Sequence, residues 1–198
     1  MLCDVVSTRA PRVPADEAKR RIVEATGTLL ATRPLRELTV EDVMDEAGLK
    51  RTVFYRHFTG LPDVVLFLLD DIRASLTEAG DPTQPGFLRA VMTRVVELAS
   101  RNGPVLRAAY DAAATDATVE RRLQQMTDWS VDATAALFEA GIAAGRTPPL
   151  DASAVSRALT LMNFSMLVDA FGRGSISDPD RVLEALITVW ERVIVEEP

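Results

Sequence analysis

Gly48 ends one apolar-periodic segment and opens another, and no other break restricts the possible folds of this chain so tightly. From Thr39, the apolar residues Val40, Val43, Met44 and Ala47 recur at the i, i+3, i+4, i+7 spacing of one helix face. Glu41, Asp42, Asp45 and Glu46 fall on the opposite, wet side. Thr39 stands at the N-cap, with Asp42 three residues on as the shorter acid of a capping box. Gly48 follows the last periodic residue, where a helix end takes positive φ and glycine enters that region without steric penalty. Leu49 plugs the angle, and a second helix is expected from Lys50 to about His57, with Val53, Phe54 and Phe58 directed inward. Two short helices held at an angle by a glycine turn form a helix-turn-helix.

The second helix leaves Lys50, Arg51, Thr52, Tyr55 and Arg56 on its outer face. Positive side chains at a helix start are unfavourable in isolation, because the N-terminus already carries partial positive charge. An approaching phosphate removes that conflict. The candidate DNA contacts are therefore Thr39, Lys50, Arg51, Thr52, Tyr55, Arg56 and His57. The early outer residues reach base edges, and Tyr55 with the rest reaches phosphates. His57 fits a backbone contact or a structural role better than base reading. Arg9, Arg12, Lys19, Arg20 and Arg21 could add an arm and a first helical turn that meet phosphate or the minor groove. For Arg9 and Arg12, a solvated tail is the simpler reading.

The formal net charge of −7 by itself argues against a nucleic-acid partner. Its distribution reverses the inference. Residues 1–60 carry ten Lys/Arg against nine Asp/Glu, whereas residues 61–198 carry twelve against twenty. The acidity belongs to the C-terminal part. Arginine outnumbers lysine twenty to two, so an arginine is informative only where its position adds something.

Other chemistries lack their parts. Cys3 is the only cysteine and His57 the only histidine, so no intramolecular disulfide, zinc site or histidine-based triad can be assembled. Asp70 and Asp71 have no second acidic cluster at matching spacing, which leaves a di-metal bundle without ligands and makes the pair a solvated face. No catalytic residue, metal or cofactor is expected. The N-terminus has no basic region followed by an apolar stretch, and no run of about 18 apolar residues could span a bilayer. A cytoplasmic protein without a membrane partner is the expectation.

Helical spacing runs through the whole chain, and no strand-like alternation interrupts it. A first helix is expected over about 16–32, ending before Pro34, with Ile22, Ala25, Leu29 and Leu30 on one face. From Asp63 to about Glu78 the chain is apolar around most of a helix circumference, so this helix should be buried on more than one side and link two cores. The Gly80–Gly86 stretch is the clearest break. Beyond it, helices are expected at about 87–101, 103–114, 117–144, 151–172 and 179–195, separated by glycine, proline or capping residues.

Thr39 to Val43, Ala47-Gly48-Leu49 and Phe54 to Phe58, at their mutual spacing, resemble the DNA-binding domain of the TetR family of transcriptional repressors over about residues 18–70. Leu161-Met162-Asn163, Ala170-Phe171 and Val189-Trp190 are similar in type and spacing to the branch that includes the ethionamide-resistance repressor. The resemblance implies an all-α fold of about nine helices: an N-terminal three-helix helix-turn-helix domain and a C-terminal helical domain for ligand binding and dimerisation. The corresponding division is a disordered arm at 1–15, the DNA-binding domain at 16–62 and the ligand-binding and dimerisation domain at 63–198. The implied partners are double-stranded operator DNA, a small, mostly apolar effector, and a second copy of the chain docked through helices at about 151–172 and 179–195. Effector binding would change the separation of the two heads and release DNA.

Four positions depart from the family pattern. Lys50 stands for the usual serine, Thr52 and Val53 for the usual small residue and threonine, and Leu61 for the lysine that commonly opens the next helix. Val53 and Leu61 cannot donate to phosphate, so Lys50, Arg51 and Arg56 must replace that charge.

For the effector site the candidates are Leu88, Met92, Val95, Met126, Trp129, Phe138, Asn163 and Phe164, with Phe87, Tyr110, Met166 and Phe171 as further apolar or aromatic neighbours. Trp129 is the aromatic wall that the resemblance implies. Asn163 is informative on physical grounds, because it sits among apolar residues on a largely buried helix. A buried amide left unpaired costs about 1–3 kcal/mol, so it needs a partner: a ligand, a water or a neighbouring carbonyl. The alternative from another class is an all-helical small-molecule-binding protein or enzyme whose helix-turn-helix is only structural.

Overall fold

The head begins with α1 (Ala15–Leu30), which buries Ala18, Ile22, Ala25, Thr26 and Leu30 on one face. Thr26 is tolerated there because its hydroxyl donates to the Ile22 carbonyl at 2.8 Å. A 3-10 turn (Leu35–Glu37) leads to α2 (Val40–Glu46), α3 (Arg51–Phe54) and α4 (Leu61–Ala74). Ile22, Val43, Met44, Phe54, Val64 and Val65 are at most 1% exposed and make the centre of this core. At about 1.5–3 kcal/mol for each fully buried large side chain, the cluster is enough to hold three short helices that could not persist alone. In the computed structural model the described residues are 14–76, 86–175 and 178–194, and among them there are nine α-helices and no strand.

The second layer consists of α5 (Phe87–Arg101), α6 (Gly103–Ala113), α7 (Ala117–Ala143), α8 (Ala152–Leu167) and α9 (Pro179–Ile194). Asp116 caps α7 by accepting from the backbone N–H groups of Thr118 and Val119, and Asp151 caps α8 through Ala154. α7 and α8 pack along each other, and α5 packs on α9. α6 is central, touching α1, α4, α7 and the end of α8.

Helix boundaries fall close to expectation, with three differences. α3 is a single turn rather than two. Thr52 and Val53 are β-branched, and the backbone then tightens into shorter-range bonds from Arg56 N–H to Val53 and from His57 N–H to Phe54. α4 starts at Leu61, with Asp63 reaching back to accept from the Thr59 N–H at 2.9 Å. The expected run to 172 is α-helical only to Leu167, then a π-helical turn from Val168 to Gly172. Gly103 packs against that turn so closely that a Cβ would lie 2.2 Å from the Phe171 carbonyl oxygen. The widened turn and a residue without a side chain let the two backbones meet. Residues 1–13 of the expected arm, with Cys3, Arg9 and Arg12, lie outside the described residues, as does most of the Gly80–Gly86 break.

α4 belongs to both cores. Leu61, Val64 and Val65 are buried in the head. Leu69, Ile72 and Leu76 face α5 to α8. The expectation of a helix buried on more than one side is met, and the expected division at 62–63 falls at the start of this shared helix.

Candidate DNA interface and effector cavity

Thr39 and Asp42 close a full capping box. Asp42 N–H donates to Thr39 Oγ1 at 3.1 Å, and the Asp42 carboxylate accepts from Thr39 N–H at 2.8 Å and from its hydroxyl at 2.6 Å. Arg33 adds an ion pair to the same carboxylate at 3.2 Å. The Thr39 hydroxyl, led by its side-chain bond, and the Thr39 backbone hold Asp42 at a pKa of about 2, with Arg33 contributing less. Thr39 therefore spends its hydroxyl proton on Asp42 rather than offering it to solvent.

Because the folded pKa is depressed, this carboxylate stabilises the head fully above pH 3.8 and progressively less as pH falls toward about 2. Thr39→Ala is expected to return the Asp42 pKa toward 3.8 and to lower the urea midpoint of the head. Carboxyl titration by NMR measures the first effect. An Asp42 pKa unmoved in the variant would show that Thr39 is not its main support.

The turn after α2 closes by two backbone bonds, from Gly48 N–H to Asp45 and from Leu49 N–H to Met44, with Gly48 at φ 62°. That geometry sets α3 against the core. Phe54 is fully buried, and its ring meets Tyr55 edge-on at 5.4 Å and Phe58 at 5.8 Å. The inward pull of Phe54 turns Lys50, Arg51, Thr52, Tyr55 and Arg56 outward, where all five are exposed, while His57 is half-buried. Among the described residues none of Lys50, Arg51 or Arg56 forms an ion pair. Arg51 Nη2 donates to the Tyr55 hydroxyl at 3.3 Å. Val53 is half-buried and Leu61 only 8% exposed, so both family-variant positions are committed to the head core.

The cations of α1 are placed differently. Lys19 Nζ lies 3.9 Å from the centre of the Phe67 ring and 5.8 Å from that of Phe58, a cation–π clamp between α1 and α4. Arg20 pairs with Glu17 and Glu24 on its own helix. The Arg21 guanidinium is beside the Gly48 turn. Among the described residues of the head, the α3 face carries a group of cations that form no ion pair.

In the second layer, α4 to α8 line a partly open apolar cavity of about 70 Å³. Leu69 and Ile72 of α4, with Leu76 just past its end, form one wall, and Val95, Leu98, Ala99, Leu106, Tyr110, Leu123, Met126, Thr127, Phe164, Leu167 and Val168 the others. Of the candidate effector residues, Val95, Met126 and Phe164 line it. Met92, Phe138 and Leu88 sit instead in the adjacent packed cluster with Leu159, Ile187 and Trp190. Asn163, 8% exposed, finds its partner there: the Trp190 indole N–H donates to Asn163 Oδ1 at 3.1 Å, and Asn163 Nδ2 approaches Met92 Sδ at 3.9 Å. Trp129 is 42% exposed on α7 and is not part of the cavity wall. Tyr110 of α6 was among the further candidates, but Leu106 and the α4 residues were missed as lining positions, although the all-round apolarity of α4 was a signal that its second face had a use. Burial pushes the Tyr110 hydroxyl pKa up, so it stays a neutral donor at the cavity wall.

A cationic one-turn helix presented by a helix-turn-helix, on a helical domain with an apolar cavity, defines the class of transcriptional regulators with a DNA-reading head. Residues 22–60 match the tetR family of bacterial regulatory proteins, and residues 88–195 match the C-terminal domain of transcriptional regulator EthR. The chain belongs to the TetR family, in the branch defined by the EthR C-terminal domain.

The HTH-type transcriptional regulator EthR of Mycobacterium tuberculosis (strain ATCC 25618 / H37Rv) is 30% identical, over 96% of this chain and 92% of that protein. Its counterpart from Mycolicibacterium smegmatis is 24% identical, over 92% and 88%. Among solved structures, a TetR transcription regulator from Haloarcula marismortui superposes with a TM-score of 0.75 at 18% identity, covering 90% of this chain and 97% of that one. Salmonella enterica GusR gives 0.71 at 15%, covering 89% and 95%. At these identities the two structures speak for the fold alone.

Proposed function

We propose that this regulator is a homodimeric repressor that grips a palindromic operator through α3 of each subunit and lets go when a small, mostly apolar molecule enters the cavity. Lys50, Arg51 and Thr52 face base edges in this reading, and Tyr55, Arg56 and His57 face phosphates. The observation that carries it is the double use of α4, whose first half is packed into the head and whose second half forms a cavity wall. A volume of about 70 Å³ is small against the roughly 300–1,000 Å³ of ordinary ligand sites. An effector must therefore part the helices around it, and moving Leu69 and Ile72 moves the helix on which the head is built. The tightly packed cluster around Asn163 and Trp190 gives way less readily, so displacement falls on α4.

Leu161 on α8 and Val189 on α9 are 49% and 40% exposed, which supports dimerisation through 151–172 and 179–195. Among the described residues no helix is long and apolar enough to cross a membrane. Action in the cytoplasm, without catalysis, is part of the same reading.

The test joins a gel shift on the DNA upstream of the gene to a thermal-shift screen with apolar compounds. A compound present at 100 times its Kd adds about 2.7 kcal/mol, which raises Tm by about 5–10 °C for a chain of this size. Such compounds should free the DNA at the same concentrations. A retarded band that none of them dissociates would defeat the release step, and turnover of a hit would favour the enzyme alternative.

A further inference from the structure

We propose that Arg51 reads a guanine in each operator half-site and that Tyr55 is the positioning residue that aims its guanidinium, an inference that rests on the DNA-binding reading of α3. The geometry runs outward from the core. Phe54 is fully buried. The Tyr55 ring stands edge-on to it at 5.4 Å, with 77° between the planes. Arg51, one turn earlier, donates from Nη2 to the Tyr55 hydroxyl at 3.3 Å, with its Cζ 5.9 Å from the centre of the same ring.

Arginine has many rotamers to lose on binding, and a guanidinium already oriented loses fewer of them. The bond to Tyr55 uses one N–H of Nη2. The other Nη2 hydrogen and the Nη1 group remain as neighbouring donors, the pair that matches guanine O6 and N7 in the major groove. Lys50 offers a point charge on a flexible stem and Thr52 a single hydroxyl, so neither presents two donors in a fixed planar fork. Arg56 lies past the end of α3, whereas base contacts come from the start of a recognition helix. The Tyr55 hydroxyl accepts from Arg51 and keeps its own hydrogen to donate to a phosphate. One side chain thus links backbone contact to base contact.

The experiment uses the full-length protein to select binding sites from a randomised duplex pool, and then measures Kd on the selected site and on single-base-pair replacements. Wild type should enrich a guanine in each half-site and lose about 5- to 150-fold on its replacement. Arg51→Lys keeps the charge and Tyr55→Phe keeps the ring. Each should lose most of the discrimination at that one base pair while keeping it elsewhere, with circular dichroism and dimer mass unchanged. Placing 7-deazaguanine at the same position should reproduce the loss with unaltered protein, which keeps the test independent of variant folding.

The positioning role is overturned if Tyr55→Phe weakens all sequences equally and flattens the salt dependence, which is the mark of a phosphate contact alone. Undiminished guanine preference in Arg51→Lys, or indifference to 7-deazaguanine, overturns the assignment of Arg51. A wild-type protein that enriches no sequence instead defeats the DNA-binding reading beneath it.

Discussion

Replacing Lys50 and Arg51 together with alanine is expected to weaken operator binding by roughly 100-fold or more, because each subunit of a dimer loses its two leading contacts, at about 1–3 kcal/mol for a good base contact. The fold should not change. Both side chains are exposed and free of ion pairs among the described residues, and neither packs in the head core. The same fluorescence-anisotropy titrations, repeated across salt, carry a second expectation. If the wild-type dimer neutralises about 6–10 phosphates, its affinity falls by about 10³–10⁵ between 50 and 200 mM salt. The double variant should show a shallower slope as well as a weaker Kd. Unchanged affinity with an intact dimer would place the DNA surface somewhere other than α3, and Lys19 and Arg20, already engaged by Phe67 and by Glu17 and Glu24, are poor substitutes.

Phe54→Ala should be the most damaging single change in the head, at about 3–5 kcal/mol. Phe54 has no exposed surface, meets the Tyr55 ring edge-on and the Phe58 ring at a tilt, and is the only buried residue of α3. A single helical turn contributes little stability of its own. Its placement depends on this ring and on the closure at Gly48. Against a typical total of about 5–15 kcal/mol, the loss is large enough to open the head while α7 to α9 remain folded. Hydrogen exchange tests this directly: amides of α2 and α3 should lose protection in the variant, and those of α9 should keep theirs. A change below about 1 kcal/mol, which is ordinary for a surface site, would mean that α3 is held by something other than Phe54.

The two expectations separate contact from scaffold. Loss of DNA affinity in the double alanine variant removes chemistry from an intact surface. In Phe54→Ala the cations are all present, but the turn that aims them is gone.

How much of this was legible in the sequence depends on how far apart the interacting residues lie. The capping box at Thr39 and Asp42, the glycine closure at Gly48 and the outward face of α3 are interactions within four or five residues, so pattern and chemistry suffice to read them. Asn163 shows the boundary. Its burial and its need for a partner could be inferred from the neighbouring apolar residues, but the partners are Trp190, 27 residues away, and Met92, 71 away. The effector candidates divided for the same reason. Val95, Met126 and Phe164 line the cavity, whereas Met92, Phe138 and Asn163 are packed against α9, and Trp129 is half-exposed on α7. Apolar periodicity says that a residue turns inward, not whether it meets a neighbour or a void. The length of α3 was overestimated because its periodicity continues to Phe58 while the backbone tightens after Phe54.

By itself, then, the sequence determined the helices, the helix-turn-helix and the cationic face, because propensity, capping and amphipathic spacing act along the chain and leave their period in it. Only the tertiary structure decided which α4 residues serve each core, that Lys19 is held between Phe58 and Phe67, that Tyr55 steadies Arg51 and that the cavity opens beside Leu69 and Ile72. The physical reason is packing. Where helices meet, the space between them is set by the shapes of side chains from several elements at once, and no single segment carries that information.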